Sequence, residues 1–171
     1  INVWPGEHYR LLSGLIKSIN ARKIIEIGTH NGLACLAMLE VLPKDSSVVT
    51  YDIMPWQKFK GTNLKNEDFE DGRLVMYNAD VGKPAIMDQH AKVFQEADMI
   101  FVDAPGRKEF LKQMKRIGVK EGCLVIIDDI HLWEHQKLWQ QITLPKLDVS
   151  SSSHFSGTGL VEWSSKEKLF Y

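Results

Sequence analysis

Residues 24–32 read Ile24-Ile25-Glu26-Ile27-Gly28-Thr29-His30-Asn31-Gly32. A short, mostly apolar run breaks at Gly28, a polar turn follows, and Gly32 opens a second apolar stretch that Pro43 stops. Such a run, four to eight residues long and bounded by glycine, reads as a buried strand. The stretch after Gly32 reads as a helix over residues 33–42. Glycine at 28 lets the chain turn sharply and lets a ligand approach bare backbone. The helix start that follows offers N–H groups to a carboxylate or phosphate. A dinucleotide fingerprint would place glycines at 28, 30 and 33, but His30 and Leu33 hold the last two places. A phosphate-binding loop would need Gly-Lys-Ser/Thr, and the chain runs Leu33-Ala34-Cys35 instead. The turn therefore has the geometry of a nucleotide site without the nicotinamide or triphosphate signature.

Outward from this unit, strand and helix signals alternate. A helix is predicted over residues 5–20, where Leu11, Leu12, Leu15, Ile16 and Ile19 share one face. Strands are predicted at 23–27, 47–51, 73–77, 98–102 and 123–127. Helices are predicted at 84–96, with Pro84 in the first turn, at 108–118 and at 132–142. Residues 53–71 are polar and irregular. Single helices between strands imply right-handed crossovers and a parallel sheet. The expected architecture is α/β, a doubly wound and mostly parallel sheet in the order 3-2-1-4-5. The tail breaks the rhythm: strands at 147–149 and 159–163 lack a full helix between them and suit an antiparallel hairpin at the sheet edge. Ser150–Ser153 reads as a loop.

The chain's 171 residues suit one domain over 1–171 with a sizeable core. A net charge of −1 argues against a polyanion partner, so no nucleic acid is expected. The longest apolar runs fall well short of a bilayer span. No basic region followed by an apolar run opens the sequence. Cys35 and Cys123 have no partner at metal or redox spacing and read as buried free thiols in a cytoplasmic protein. Lys108, Lys112, Lys115 and Arg116 read as a solvated helix face.

Acids follow the strands in series. Asp52 ends the second, Asp80 follows the third, Asp103 ends the fourth, and Asp128 and Asp129 end the fifth. In an open parallel sheet, ligands lie outside the carboxyl ends of the strands. An acid at one strand end is ordinary as a cap or turn residue. Five in register with a glycine turn point to a site. Glu26, inside an apolar strand, is costly to bury unless paired.

Glu26-x-Gly28-x-x-x-Gly32, followed by these acids, resembles the first motif of class I S-adenosylmethionine-dependent methyltransferases. The resemblance implies that the cofactor binds along Glu26, Gly28, Thr29, His30, Gly32, Asp52, Asp80 and Asp103. Asp52 would take the ribose hydroxyls, Asp80 would lie near the adenine amino group, and Glu26 near the methionyl end. The segments FVDAPGRKEF and EGCLVIIDDIHLW resemble the metal-dependent small-molecule O-methyltransferases, especially the branch acting on macrolide and aminocoumarin sugars. One departure is visible. Ala104-Pro105-Gly106 stands where related enzymes carry a second acid or a His-x-Tyr pattern, and Gly106 stands where catechol-type enzymes carry a lysine.

Asp103, Asp128 and Asp129, with no accompanying cysteine, form a hard oxygen donor set suited to Mg²⁺. The alternative for Asp128-Asp129 is a helix cap plus a solvated acid. His131 or Asp103 is the candidate general base, and His131 is equally readable as a surface residue at a helix start. Trp4, His8 and Tyr9 are acceptor-side candidates, while Trp133 and Trp139 read as packing residues. The expected activity is O-methylation of a small hydroxylated molecule, a sugar or natural product. Metal-independent transfer to another acceptor, a nicotinamide-dependent oxidoreductase and a non-catalytic binding protein stand as alternatives. The length leaves two ways to build the acceptor pocket: shallow, or completed by a second subunit in a homodimer.

Overall fold

The computed structural model describes residues 7–150 and 155–171. Trp4, Pro5 and Ser151–Ser153 of the sequence reading lie outside these. Helix α1 (Glu7–Ile19) leads into β1 (Lys23–Ile27), α2 (Leu33–Leu39) and β2 (Ser47–Asp52). Then come β3 (Leu74–Asn78), α3 (Pro84–Gln95), β4 (Met99–Val102), α4 (Arg107–Ile117) and β5 (Leu124–Asp128). Helix α5 (Trp133–Gln141), β6 (Lys146–Asp148) and β7 (Thr158–Glu162) complete the described chain.

The sheet runs β3-β2-β1-β4-β5-β7-β6. Its first five strands are mutually parallel, and β7 pairs antiparallel with both β5 and β6. The predicted order and the antiparallel tail hairpin are both present, with β7 seated between β5 and the edge strand β6.

The strands alternate between two apolar layers, as the period of two requires. Ile24, Met99, Phe101 and Ile126 join Leu12, Ile16, Cys35 and Met38 under α1 and α2. Ile25, Ile27, Ile100, Val102 and Val125 join Met87, Phe94, Leu111 and Met114 under α3 and α4. Met99, Ile100, Phe101 and Val102 are all fully buried, as a strand covered on both faces should be.

Element ends shift from the sequence reading for local reasons. Helix α2 ends at Leu39 rather than 42, because Val41 and Leu42 donate to Met38 and Leu39, three residues back, and tighten the last turn ahead of Pro43. Helix α4 stops at Ile117 because Gly118 takes φ 75° and donates its N–H to the Met114 carbonyl. The irregular stretch 53–71 contains two short 3-10 turns, Trp56–Lys58 and Asn66–Phe69. Lys108, Lys112 and Arg116 are exposed as read and Lys115 is half-buried; Lys112 pairs with Glu109 at 2.7 Å and Arg116 with Asp88 at 2.7 Å. Trp139 packs against Gly159, where an added Cβ would lie 2.6 Å from its ring. Trp133 corrects the sequence reading: it is 90% exposed and packs into nothing, because it opens α5 with φ 29° and points outward. Cys35 and Cys123 are buried free thiols. No helix among the described residues is long and apolar enough to cross a membrane.

Candidate active site

The carboxyl ends of β1, β2 and β4 meet at Gly28. Its N–H donates to the Tyr51 carbonyl at 2.8 Å, and the Asp103 N–H donates to the Ile27 carbonyl at 2.9 Å. Gly28 has φ 107°, and a Cβ there would stand 2.1 Å from the Asp103 carbonyl oxygen. Glycine is thus dictated twice, by conformation and by the closeness of β4. Gly32 has φ 83°, and its missing Cβ leaves room for the Leu64 side chain.

Above this junction lies a cavity of about 570 Å³ lined by Ile27, Gly28, His30, Tyr51 and Asp52 at its base and by Asp80, Val81, Asp103, Ala104, Pro105 and Phe110 along one side. The loop after β2 contributes Ile53, Met54 and Phe59 to the lining. The size and the mix of apolar walls with a few carboxylates suit a small-molecule ligand.

Of the predicted cofactor residues, Gly28, His30, Asp52, Asp80 and Asp103 line this cavity, while Glu26, Thr29 and Gly32 are not among its lining residues. Asp52 is held ready by two backbone donors, His30 N–H to Oδ2 and Met54 N–H to Oδ1, each at 3.0 Å. His30 reaches this bond with φ 45°, and its ring stands edge-on to Phe59. The Asp80 carboxylate accepts from Gly82 N–H at 3.1 Å and lies 3.7 Å from Lys83 Nζ. The helix start offers less to an anion than the sequence suggested. Gly32 N–H goes to the Thr29 carbonyl and Leu33 N–H to Asn31 Oδ1, so the turn shapes the site more than it donates to it.

Alternation along β1 puts Glu26 on the α2 side of the sheet, fully buried. Thr50, its register partner on β2, donates to Glu26 Oε2 at 2.5 Å, and Thr29 bonds Thr50 at 2.6 Å. No cation pairs with this carboxyl among the described residues, and Oε1 has no hydrogen-bond partner. Burial pushes Glu26 up to about 8, which favours the protonated carboxyl.

Beside the cavity, Asp103, Asp128 and Asp129 converge, with one carboxylate oxygen of each within 4.8 Å of the others. Asp128 is buried and accepts from the Thr158 hydroxyl at 2.8 Å. Asp129 holds φ 62°, a conformation unusual for a non-glycine residue and one that concentrates at functional sites. Three carboxylates so placed fit a hard divalent cation by charge and donor type. Tyr9 of α1 feels the same acids: burial, then Asp103, Asp128 and Glu26, pushes its phenol up to about 12.

His131 is not among the cavity-lining residues. Its Nε2 lies 2.7 Å from Asp148 Oδ2, and Asp148 is fixed in turn by Ser150. The loop returning into β7 passes against the ring, so a Cβ on Gly157 would come within 2.7 Å of it.

Sequence reasoning missed Arg107. It opens α4 with its side chain 3% exposed and bonds both Asp103 and Asp129. The signal was present: an arginine four residues after Asp103 at a helix start, and three acids lacking a countercharge. Asp148 as the partner of His131 had no sequence signal.

A ligand cavity over a glycine turn at the carboxyl ends of a parallel sheet defines a Rossmann-like α/β protein with a nucleotide-type site. The chain belongs to the O-methyltransferase family, whose model matches residues 3–146. It is 32% identical over 138 residues to caffeoyl-CoA O-methyltransferase 2 of Petunia hybrida, covering 72% of this chain and 52% of the relative. It is 28% identical over 137 residues to a catechol O-methyltransferase of Niastella koreensis, covering 76% of this chain and 58% of the relative. The chain thus spans about half the length of these curated relatives. The fold resembles the Bacillus cereus O-methyltransferase in complex with SAH, with a TM-score of 0.68, 16% identity, and 90% of this chain and 79% of that one covered. It also resembles an SAH-bound Podospora anserina methyltransferase, with a TM-score of 0.70, 16% identity, and 92% and 78% covered.

Proposed function

We propose that this chain is the catalytic domain of a cytoplasmic S-adenosylmethionine-dependent O-methyltransferase acting on a small hydroxylated molecule. The observation that carries the reading is the double placement of Asp103, which lines the cofactor-sized cavity and belongs to the three-acid cluster. A methyl donor in the cavity and a hydroxyl at the cluster would therefore be neighbours. The names of the relatives, caffeoyl-CoA and catechol O-methyltransferases, support a hydroxylated acceptor.

The residues divide the work. Asp52, already oriented by two N–H donors, accepts the ribose hydroxyls. Asp80 and the walls formed by Met54, Phe59 and Val81 hold the adenine end. Asp103, Asp128 and Asp129 would hold a divalent ion such as Mg²⁺, which lowers the pKa of a bound hydroxyl. S-adenosylmethionine held there would supply an electrophilic methyl group to the acceptor oxygen, its sulfur keeping the pair of the broken bond and the hydroxyl proton leaving. His131, oriented by Asp148, or Asp103 takes that proton. The apolar side of the cavity excludes water, which favours in-line placement over hydrolysis. A second subunit in a homodimer would complete the acceptor side.

The test is transfer of labelled methyl from S-adenosylmethionine to a panel of sugars, catechols and phenols, with and without EDTA. Product from at least one hydroxylated acceptor, diminished by EDTA and by Asp129→Asn, is the expected outcome. Cofactor binding without transfer to any acceptor class would reduce the chain to a binding protein.

A further inference from the structure

We propose that Arg107 is the built-in counter-cation of the acid cluster and competes there with the divalent ion, setting the concentration at which the ion enters. The proposal rests on the cluster being the cation site of the reading above, and it concerns what already occupies that site electrostatically. A guanidinium has five N–H donors in a fixed fork, and each of its three nitrogens has a partner within the protein. Nε donates to the Asp128 carbonyl at 2.9 Å. Nη1 donates to the Ala104 carbonyl at 2.8 Å and lies 3.4 Å from His135 Nε2. Nη2 donates to Asp103 Oδ1 at 2.9 Å and to Asp129 Oδ2 at 2.8 Å.

Burial makes this pairing matter. The Arg107 side chain is 3% exposed, against 36% for Asp103 and 27% for Asp129. A buried charge is retained only where it is paired and hydrogen-bonded. Arg107 thus offsets the mutual repulsion of the crowded carboxylates. The same positive charge repels a divalent ion placed among those oxygens. One oxygen each of Asp103 and Asp129 is also engaged by Nη2. The bonds from Nε and Nη1 anchor the guanidinium to the Asp128 and Ala104 carbonyls, with His135 of α5 alongside, so it stays beside the site when Nη2 yields its acids. Metal entry must therefore overcome the guanidinium charge and loosen the two charge-assisted bonds of Nη2.

The consequence is a cation site that works at a higher ion concentration than three bare carboxylates would need. The full chain is titrated with MnCl₂ by calorimetry and followed by thermal unfolding, as wild type, Arg107→Gln and Arg107→Lys. Arg107→Gln is expected to bind Mn²⁺ at least about tenfold more tightly, about 1.4 kcal/mol. Its Tm without metal should fall below wild type, and saturating Mn²⁺ should narrow the gap. Arg107→Lys, which keeps the charge but not the fork, should stay within about threefold of wild type. If Arg107→Gln does not fold, the guanidinium ¹⁵N resonances of Arg107 in the wild type serve instead, and they should shift on MgCl₂ titration as Nη2 releases its acids. Mn²⁺ affinity that is unchanged or weaker in Arg107→Gln, or guanidinium resonances that ignore Mg²⁺, would overturn the proposal. S-adenosylmethionine binding is measured on the same samples. Its absence from wild type counts against the methyltransferase reading, whereas the Mn²⁺ comparison counts only for or against the role of Arg107.

Discussion

Replacing Gly28 by alanine adds one methyl group at the junction of β1, β2 and β4, and the structure sets its cost. At φ 107° an L-residue suffers the clash that glycine escapes, and the new Cβ falls 2.1 Å from the Asp103 oxygen and 2.7 Å from its carbonyl carbon. These are backbone atoms of a neighbouring strand, so no side chain can swing aside. The left-handed conformation costs about 1–2 kcal/mol. Forcing β4 away costs about 1–3 kcal/mol more, as overpacking does, and it strains the bond from Asp103 N–H to the Ile27 carbonyl. Stiffening of the unfolded chain returns at most about 1 kcal/mol. The net destabilisation is about 1–5 kcal/mol, centred near 3, a Tm drop of about 2–20 °C for a domain of this size. Gly14→Ala is the control. It sits on the exposed face of α1 with nothing within 4 Å of the added Cβ, so the same methyl should stabilise by about 0.5–1 kcal/mol. Thermal and urea unfolding of the two variants should give opposite signs. A Gly28→Ala protein within 1 kcal/mol of wild type would refute the close approach of β1 and β4 on which the site is built.

Glu26→Gln tests the buried carboxyl. With its folded value near 8 against 4.5 for the free group, the folded state holds the proton that the unfolded state releases between those values. Wild type should therefore lose stability relative to Glu26→Gln as pH rises from about 5 to about 8. The slope should approach 1.4 kcal/mol per pH unit, with the gap flat outside that window, as read by urea unfolding at several pH values. Thr158→Val removes the hydroxyl that bonds the buried Asp128 at 2.8 Å and should destabilise by about 1–3 kcal/mol in thermal unfolding. His131→Ala and Asp148→Ala should depress methyl transfer to the same degree if Asp148 acts through the His131 ring, and an unaffected Asp148→Ala enzyme would remove the pair from the reaction.

The fold was legible because each deciding signal is local. Gly28, the β-branched run Val48-Val49-Thr50 and Pro84 at its helix start each act within a few residues, and their alternation leaves few topologies for a sheet. The acids were legible by position, since Asp52, Asp103 and Asp128 fall where parallel strands end. What escaped depends on direction and distance. Glu26 was readable as an acid in a strand, but its face follows from the pleat, which turns it toward Thr50 rather than into the cavity. Arg107 was passed over beside the basic face of Lys108, Lys112, Lys115 and Arg116, because helix spacing alone does not say which basic residue turns inward. Residues 53–71 read as an irregular connection, yet Ile53, Met54 and Phe59 wall the cavity, since apolar residues in a loop carry no periodicity to mark their target. Asp148 meets His131 only because β7 brings the tail back beside β5.

The central claim is that the cavity over Gly28 is a cofactor site organised by Asp52. Calorimetric titration of S-adenosylhomocysteine into wild type and Asp52→Ala tests it without needing the acceptor. The account predicts one equivalent bound by wild type, and at least about tenfold weaker binding by the variant, from loss of ribose bonds worth about 1.5–3 kcal/mol each. Wild-type protein that binds no S-adenosylhomocysteine, or an Asp52→Ala variant that binds it equally well, would contradict the account.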